Sequence, residues 1–213
     1  MSKLTINIDG KEVQAKSGDT ILETALAAGK YIPHLCYCPG LKPEALCRLC
    51  LVEMADGELI TSCRVPVVRG MVIKTKSPAI DRAVRPTVEL LIKYHHERCA
   101  GCPASGHCEL QTVMSHLKID RKRVRRLRPP PAKRPIDVMN RCFDYDPNRC
   151  ILCGICIRTC EAIHGESLLY YIGRGHETKV AFYGDEKKCE TCLKCVERCP
   201  VGTLLAKNLI EAK

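Results

Sequence analysis

Two runs of four cysteines carry the clearest chemical signal in this sequence. The first, CILCGICIRTC, begins at Cys150, and the second, CETCLKCVERCP, begins at Cys189. Each run has the spacing C-x2-C-x2-C-x3-C, and Pro200 directly follows the second. Turns of the C-x2-C type let the backbone loop around a metal cluster and offer several thiolates to it. The two runs therefore predict two [4Fe–4S] clusters.

The spacing resembles that of bacterial two-cluster ferredoxins. In those proteins the first three cysteines of each run bind one cluster, and the fourth binds the other. The resemblance implies two crossed ligand sets: Cys150, Cys153, Cys156 with Cys199, and Cys189, Cys192, Cys195 with Cys160. Paired C-x2-C knuckles also bind zinc. Because zinc is usually served by two such pairs, the repeated four-cysteine run favours iron–sulfur clusters.

Composition limits where such a protein would work. The chain has 213 residues, 17 of them Cys, with two Phe and no Trp. Its first residues lack the apolar run and cleavage site of a signal peptide, and no stretch has the apolar length that spans a bilayer. Since the cytosol keeps thiols reduced, cysteines there more often serve metals than disulfides. We expect a cytoplasmic protein without membrane insertion, whose clusters also help to hold the fold together.

Positive charge is concentrated in one segment. The formal net charge is +10, and eight of the 34 Lys and Arg residues lie in RKRVRRLRPPPAKRP at 121–135, which has no acidic residue. Three consecutive prolines and the lack of periodicity predict an extended connector, with polyproline II geometry where it is isolated. It would serve as a solvated linker, or as a basic strap on an acidic partner subunit or on nucleic acid. We expect no nucleic acid, because no aromatic or helical reading element accompanies the charge.

The N-terminal region predicts a small α+β domain around a third group of cysteines. Asp9-Gly10 predicts a hairpin between two short strands. A helix capped by Asp19 or Thr20 should follow and end at Gly29. Its predicted buried residues are Ile21, Leu22, Ala25 and Leu26. Beyond the cysteine loop, a turn at Asp56-Gly57 and a strand in MVIKT complete the order of elements of a plant-type [2Fe–2S] ferredoxin.

The cysteine loop of this domain departs from the plant-type spacing. Cysteines 36, 47, 50 and 63 run C-x10-C-x2-C-x12-C, with a longer first gap than C-x4-C-x2-C. The longer gap, CRLCLVEM and CRVPV resemble the iron–sulfur subunits that accompany the flavin subunit in respiratory complex I and NAD-linked hydrogenases. The resemblance implies a [2Fe–2S] cluster with the ligands Cys36, Cys47, Cys50 and Cys63. Cys38 is then a bystander, and the alternative is that it replaces Cys36.

A histidine and three cysteines form a fourth group. A helical apolar pattern over 81–94, interrupted at Pro86, should bend there or begin there. It leads into HHERCAGCPASGHCELQ, where the spacing His-x3-Cys-x2-Cys-x5-Cys resembles the [4Fe–4S] motif of the same family. The resemblance implies the ligands His95, Cys99, Cys102 and Cys108. His96 is the alternative to His95, zinc is the alternative metal, and His107 has no expected role.

These motifs divide the chain into four predicted segments. They are a [2Fe–2S] β-grasp domain at 1–77, a helical His-ligated [4Fe–4S] domain at 78–120, the basic connector at 121–139, and a two-cluster ferredoxin-like domain at 140–213. The last should contain a hairpin with Gly173 and Gly175 at its turn. Cys142 precedes both cysteine runs, and we expect it to bind no cluster.

The motifs NRCILC, RTCEAIHG and CPVGTLL resemble the diaphorase-side electron-transfer subunit of bidirectional hydrogenases. The resemblance implies an electron relay with one [2Fe–2S] and three [4Fe–4S] clusters and no substrate site of its own. FMN and NAD(P) would lie on a flavin subunit, hydrogenase small and large subunits would hold the terminal catalytic site, and ferredoxin would be a further partner in a bifurcating complex. The alternatives are the same role in a NAD-linked formate dehydrogenase or another complex I-like oxidoreductase, or a stand-alone carrier.

Overall fold

A computed structural model describes residues 3–95, 99–126, 133–138 and 140–207. The chain forms two compact units. The first comprises Met1–Tyr37, Pro43–Leu90 and Val113–Ile119, and the second comprises Cys38–Lys42, Leu91–Thr112 and Asp120–Lys213. Among the described residues, no helix has both the length and the apolar character needed to cross a membrane. The domain boundaries predicted from sequence stay predictions.

The first unit begins with the predicted hairpin. Strands β1 (Lys3–Ile8) and β2 (Lys11–Lys16) pair antiparallel, with Ile8 opposite Lys11. Asp9 and Gly10 both have positive φ, 53° and 79°, as a tight hairpin turn of this hand requires. Asp9 also accepts hydrogen bonds at its carboxylate from the N–H and hydroxyl of Thr75, at 2.7 and 2.8 Å. The turn therefore also holds the chain that leaves the sheet.

Helix α1 (Ile21–Ala27) follows, and Thr20 is its N-cap. The Thr20 hydroxyl accepts from the N–H of Glu23 at 3.2 Å, and the Glu23 carboxylate accepts from the N–H of Thr20 at 2.8 Å. This reciprocal pair is a capping box, which satisfies two N–H groups that a helix start leaves unpaired. Ile21, Leu22 and Ala25 are buried as predicted, while Leu26 is only partly buried.

A five-stranded sheet completes the first unit. Strands β3 (Leu51–Met54), β4 (Leu59–Thr61) and β5 (Val72–Lys74) join the hairpin in the order β2-β1-β5-β3-β4. Strand β5 is parallel to β1 and antiparallel to β3. The buried core of this unit includes the apolar side chains of the sheet and of α1 together with two cysteines, Cys50 and Cys63. The cysteine loop is thus built into the core rather than appended to it.

Two helices precede and follow the histidine motif. Helix α2 spans Pro78–Tyr94, begins before the predicted Asp81, and contains Pro86 in its interior rather than in its first turn. Its side chains Val84, Val88 and Ile92 are buried on one face, at the spacing that the sequence predicted. Helix α3 spans Glu109–His116 and directly follows Cys108.

The start of the basic segment is helical, which corrects the prediction of a wholly extended connector. Arg121–Arg126 forms α4. The Asp120 carboxylate accepts from the N–H of Arg123 at 3.0 Å, and the Asp120 carbonyl accepts from the N–H of Val124 at 3.1 Å. Val124 is buried, so one apolar side chain anchors this highly charged turn. The three consecutive prolines lie outside the described residues.

The remainder of the second unit contains short strands and helices around the two cysteine runs. Strand β6 (Phe143–Tyr145) pairs antiparallel with β9 (Leu204–Ala206), and β7 (Leu169–Ile172) pairs with β8 (Lys179–Phe182). Helices α5 (Ile155–His164), α6 (Lys187–Glu190) and α7 (Lys194–Glu197) carry cysteines of both runs. The hairpin predicted around Gly173 and Gly175 is therefore present, and the α+β class is confirmed.

Candidate metal centres

The first group of thiols lies in the loop between α1 and β3 and in the turn after β4. Cys36, Cys50 and Cys63 are each about 1% exposed. The backbone N–H of Cys47 donates to the sulfur of Cys36 at 3.4 Å. Buried Ser62 fixes the opposite side of the loop, because its N–H and its hydroxyl both donate to the carbonyl of Cys50, at 2.9 and 2.7 Å. These hydrogen bonds hold the loop that carries the thiols.

Hydrogen bonds pair these thiols two by two. The Cys36 thiol donates to Cys47, which raises the pKa of Cys36 and lowers the pKa of Cys47 to about 6. Cys63 donates to Cys50 in the same way, raising the pKa of Cys63 and lowering that of Cys50. The pKa of Cys63 also responds to the charges of Cys50, Cys36 and Cys47, so the structure brings all four predicted ligands together. Thiolates are the ligands that iron–sulfur clusters require.

The predicted bystander Cys38 has different surroundings. It is partly exposed, and its thiol donates to the carbonyl of the next residue, Pro39, at 3.8 Å. Its assignment as a bystander stays a prediction.

The histidine motif places three thiols and a buried imidazole in the second unit. Cys99 lies on a short 3-10 helix, Cys99–Gly101, and the N–H of Cys102 donates to its carbonyl at 3.1 Å. Burial raises the pKa of Cys108, and the neighbouring thiols Cys102 and Cys99 raise it further. The three cysteines are therefore close together. His95 is 8% exposed and its N–H donates to the carbonyl of Leu91 at the end of α2, whereas the alternative ligand His96 lies outside the described residues.

The third group contains the first three cysteines of the first run and the last cysteine of the second. Burial raises the pKa of Cys153 to about 12, and the charges of Cys150 and Cys199 add to this rise. Burial likewise raises the pKa of Cys156, with the same neighbours contributing. Cys199 thus lies beside the first run, although it is distant in sequence. This is the crossed arrangement that the ferredoxin resemblance implies.

The fourth group is the reciprocal set. Burial raises the pKa of Cys195 to about 12, and Cys189, Cys160 and Cys192 raise it further. A cavity of about 10 Å³ touches all four thiols, and its other walls are mostly apolar. Its apolar lining residues include Phe143, Ile163, Leu169, Phe182 and Leu193. In the described parts of the chain, no three or more His, Cys, Asp or Glu side chains are placed so that they could hold one single metal ion.

Both runs use the same local backbone geometry. The residue after the second cysteine of each run, Gly154 in the first and Leu193 in the second, has positive φ, 70° and 45°. Each then serves as the N-cap of a helix, α5 or α7, that carries the third cysteine. Left-handed backbone is unfavourable for a residue with a Cβ, by about 1–2 kcal/mol. Its presence at Leu193 indicates that the turn around the thiols is imposed by the surrounding packing.

Backbone N–H groups point at several of the sulfur atoms. The N–H groups of Leu152, Thr203 and Leu168 donate to the sulfurs of Cys150, Cys199 and Cys160 at 3.4, 3.4 and 3.3 Å. The Cys47 to Cys36 bond is the corresponding contact in the first unit. Hydrogen bonds to sulfur are among the features that set the potentials of iron–sulfur clusters.

Two side chains beside these groups have no signal in the sequence. Asn140 and Tyr145 are 4% and 5% exposed, and each lowers the pKa of a neighbouring thiol, Cys189 and Cys150, respectively. No spacing rule connects Asn140 to a cysteine so far along the chain. Only the pairing of β6 with β9 and the position of α6 bring these groups together.

The chain matches three known iron–sulfur domain families. Residues 1–78 match the 2Fe-2S iron-sulfur cluster binding domain, residues 85–123 match the NADH-ubiquinone oxidoreductase-G iron-sulfur binding region, and residues 149–203 match the 4Fe-4S dicluster domain. One 2Fe-2S domain and additional 4Fe-4S domains are therefore confirmed. The number of three [4Fe–4S] clusters stays a prediction.

Similar proteins are subunits of several oxidoreductases. NADPH-Fe(3+) oxidoreductase subunit alpha of Geobacter sulfurreducens is 32% identical over 96% of this chain, and the mitochondrial NADH-ubiquinone oxidoreductase 78 kDa subunit of Candida albicans is 30% identical over 97%. The chain spans only 24% and 29% of the length of these two relatives. A chain in the crystal structure of an H2-reduced NAD+-reducing [NiFe]-hydrogenase is 33% identical, with a TM-score of 0.81 over 100% of this chain and 91% of that one.

Proposed function

The chain belongs to the family of multi-cluster iron–sulfur electron-transfer subunits related to the NADH-ubiquinone oxidoreductase 78 kDa subunit and to NAD+-reducing [NiFe]-hydrogenase, and from this we propose that it relays electrons between a flavin/NAD(P)(H) subunit and a hydrogenase catalytic subunit. The similar chain from the NAD+-reducing [NiFe]-hydrogenase structure supports a hydrogenase partner, because the match extends over nearly the whole of both chains. FMN and NAD(P) would be bound by the flavin subunit, and the hydrogenase small and large subunits would contain the terminal site.

The relay would use one [2Fe–2S] and three [4Fe–4S] clusters. When bound, each cluster accepts and releases one electron at a time. The proposed ligand sets are Cys36, Cys47, Cys50, Cys63; His95, Cys99, Cys102, Cys108; Cys150, Cys153, Cys156, Cys199; and Cys160, Cys189, Cys192, Cys195. The described thiols fit this assignment, because soft thiolate donors lie together in buried groups that already receive N–H donors.

One observation carries the proposal: Cys199 groups with the first cysteine run, and Cys160 groups with the second. A pair of independent C-x2-C zinc knuckles would close within each run. The crossed grouping instead divides eight thiols into two sets of four, each drawing on both runs, which is the arrangement of two-cluster ferredoxins.

The protein's own contribution is to hold the thiols apart from water and to orient them. Burial is the first cause of the raised pKa values of Cys153, Cys156 and Cys195. Desolvation of a thiolate is unfavourable unless a metal or a hydrogen bond compensates for it. Iron would supply this compensation, because a coordinating thiol is deprotonated by the charge of the metal, and burial around a cluster also affects its potential.

Iron and acid-labile sulfide analysis of the purified holo-protein tests the cofactors. We expect about fourteen iron atoms per chain, from one two-iron and three four-iron centres. Saturation with about four zinc ions, without sulfide, would refute the relay. Iron without a histidine-ligated centre would lower the count by about four and refute the third [4Fe–4S] cluster.

Affinity purification from native cells tests the partners. We expect a flavoprotein and nickel-containing hydrogenase subunits at fixed stoichiometry. A specific alternative is supported by the Geobacter relative, whose name assigns it to an NADPH-Fe(3+) oxidoreductase. In that case the flavoprotein would co-purify with a different terminal oxidoreductase, such as a formate dehydrogenase, and ferredoxin would be tested as an additional electron partner. Isolation of the chain without partners would indicate a stand-alone carrier.

A further inference from the structure

We propose that Arg158 is a buried counter-charge that raises the reduction potential of one [4Fe–4S] cluster, the one assigned to Cys150, Cys153, Cys156 and Cys199. This inference rests on the proposed function, since it requires a cluster in that set of thiols. Arg158 belongs to helix α5, which carries cysteines of the first run, and no spacing rule gives it a role.

Burial sets Arg158 apart from the other basic residues. It is 7% exposed, and it is the one buried Lys or Arg in the part of the chain that the structure describes. A guanidinium stays protonated in proteins, so its positive charge is buried with it. Transfer of an ionised group out of water is unfavourable unless other groups compensate for the lost hydration. A buried arginine therefore indicates surroundings that favour a positive charge.

Hydrogen bonds fix the position of this guanidinium. Nη1 donates to the carbonyl of Lys42 at 3.0 Å, and Nη2 donates to the carbonyl of Cys153 at 3.4 Å. The backbone N–H of Arg158 donates to the carbonyl of Gly154 at 3.1 Å, so the first turn of α5 is held as well. Because carbonyl oxygens are uncharged, these contacts hold the guanidinium in place and leave its positive charge intact.

The charged end of Arg158 lies beside the first cysteine run. The Cys153 carbonyl that accepts from Nη2 belongs to a proposed ligand, and only a few covalent bonds separate it from the sulfur of that residue. The next residue, Gly154, is the left-handed N-cap of α5, and on the other side the N–H of Leu152 donates to the sulfur of Cys150 at 3.4 Å. The guanidinium thus contacts the backbone of the turn that carries thiols of this set.

The cluster assigned to this set would supply the favourable negative charge. Its thiolate ligands outweigh the positive charge of a [4Fe–4S] core, so the whole centre is negative and becomes more negative on reduction. A fixed cation is attracted to both oxidation states, and more strongly to the reduced one. Burial strengthens this attraction, because less water screens it. Since net charge is one of the factors that set cluster potentials, Arg158 should raise the potential of this cluster.

Reduction potentials of the holo-protein, measured by titration with electron paramagnetic resonance detection, test the inference. Arg158→Gln removes the charge but keeps an amide that can donate to carbonyls, whereas Arg158→Lys keeps the charge but loses the planar fork. We expect Arg158→Gln to lower the potential of one [4Fe–4S] signal and Arg158→Lys to leave it near wild type. The expected shift is on the order of a tenfold change in the ratio of reduced to oxidised cluster, about 59 mV for one electron. Iron content should equal that of wild type in both variants.

Two further variants identify the cluster and the cause of the shift. The signal that moves in Arg158→Gln should be the one that Cys153→Ser removes or alters. Arg198→Gln is the matched control, because Arg198 is exposed and directly precedes Cys199, a ligand of the same proposed set. It loses the same charge, but water screens an exposed cation, so its shift in potential should be much smaller.

Several results would overturn the inference. They are an unchanged potential in Arg158→Gln, equal shifts in Arg158→Gln and Arg158→Lys, equal shifts in Arg158→Gln and Arg198→Gln, or movement of a signal that Cys153→Ser leaves intact. If Arg158→Gln loses iron, Arg158→Lys decides the case. Iron retained at the wild-type potential supports the role of the charge, whereas lost iron or a lowered potential overturns it. Absence of [4Fe–4S] signals from the wild-type protein would instead refute the proposed function.

Discussion

The backbone N–H of Glu109 donates a hydrogen bond of 3.0 Å to the carbonyl oxygen of Pro200. These two residues directly follow Cys108 and Cys199, which we assign to two different clusters. Nearby, the Cys102 thiol donates to the carbonyl of Val201 at 3.9 Å. The loop of the histidine motif and the turn that ends the second cysteine run are therefore in direct contact, with no intervening element.

Gly202 makes this contact possible, and its replacement should weaken it. Gly202 has φ of +62°, and an added Cβ would lie 3.0 Å from the Cβ and the backbone nitrogen of Ala104. We expect Gly202→Ala to lower the free energy of unfolding through both backbone strain and overpacking. Gly106→Ala is the matched control, because Gly106 has φ of +89° with no atom within 4 Å of an added Cβ. Gly202→Ala should be worse than the control by about 1–3 kcal/mol in chemical denaturation. Equal losses would mean that the Ala104 contact contributes nothing.

The [2Fe–2S] assignment predicts opposite effects for two neighbouring thiols. Cys47→Ser should remove or alter the [2Fe–2S] signal alone, because it replaces one of four grouped ligands. Cys38→Ser should leave every signal intact, because the Cys38 thiol donates a weak contact to the carbonyl of Pro39 and lies outside the four predicted ligand sets. The measurement is electron paramagnetic resonance of the reduced protein together with iron content. Loss of the signal in Cys38→Ser, with retention in Cys36→Ser, would exchange the two assignments.

The capping box predicts a pH-dependent stability of the first unit. Burial raises the pKa of Glu23, but hydrogen bonds from the backbone and hydroxyl of Thr20 and from the hydroxyl of Tyr37 outweigh it, so the pKa lies below its ordinary value of 4.5. A carboxylate with a lowered folded-state pKa contributes stability above its unfolded pKa, and that stability is lost as the pH falls through the folded pKa. Glu23→Gln should therefore lower the Tm at neutral pH, by the equivalent of about 1 kcal/mol or less. The difference from wild type should shrink below about pH 4.5.

Thermal unfolding followed by circular dichroism across this pH range provides the measurement. Glu12→Gln is the control, since Glu12 is an exposed carboxylate on β2 of the same unit. A Tm difference for Glu23→Gln that stays constant as the pH falls would show that the charge of Glu23 does not contribute.

The basic segment predicts salt-sensitive assembly. The test variant replaces four arginines of this segment by Ala: Arg123, Arg125, Arg126 and Arg128. It should associate more weakly with an acidic partner subunit, and the loss should be larger at low salt than at high salt. A variant with the same loss of charge at exposed positions elsewhere, Arg64, Arg69, Arg82 and Arg174, is the control. Assembly and nucleic-acid binding should be measured on both variants. Intact assembly with lost nucleic-acid affinity in the first variant would replace the docking role with nucleic-acid binding.

Much of the fold and of the candidate ligand sets could be predicted from the sequence, because the features that determine them are local in the chain. Cysteine spacing determines which thiols can share one loop, and Asp9-Gly10 and Thr20 determine where a hairpin turns and a helix begins. These features depend on backbone conformations available to a few consecutive residues. The α+β class and the cluster types followed from them and from the resemblance that the motifs carry.

Contacts across long stretches of chain were decided only by the tertiary structure. Packing, rather than propensity, placed the Asn140 amide beside Cys189 and the N–H of Glu109 against Pro200. The helix at Arg121–Arg126 forms because Asp120 caps it and Val124 is buried, neither of which a run of like charges indicates. The sequence by itself therefore determined which residues have the chemistry to bind clusters, because ligand type and spacing are covalent properties. The folded chain determined which donors surround each thiol, because hydrogen bonds depend on distance and direction in space.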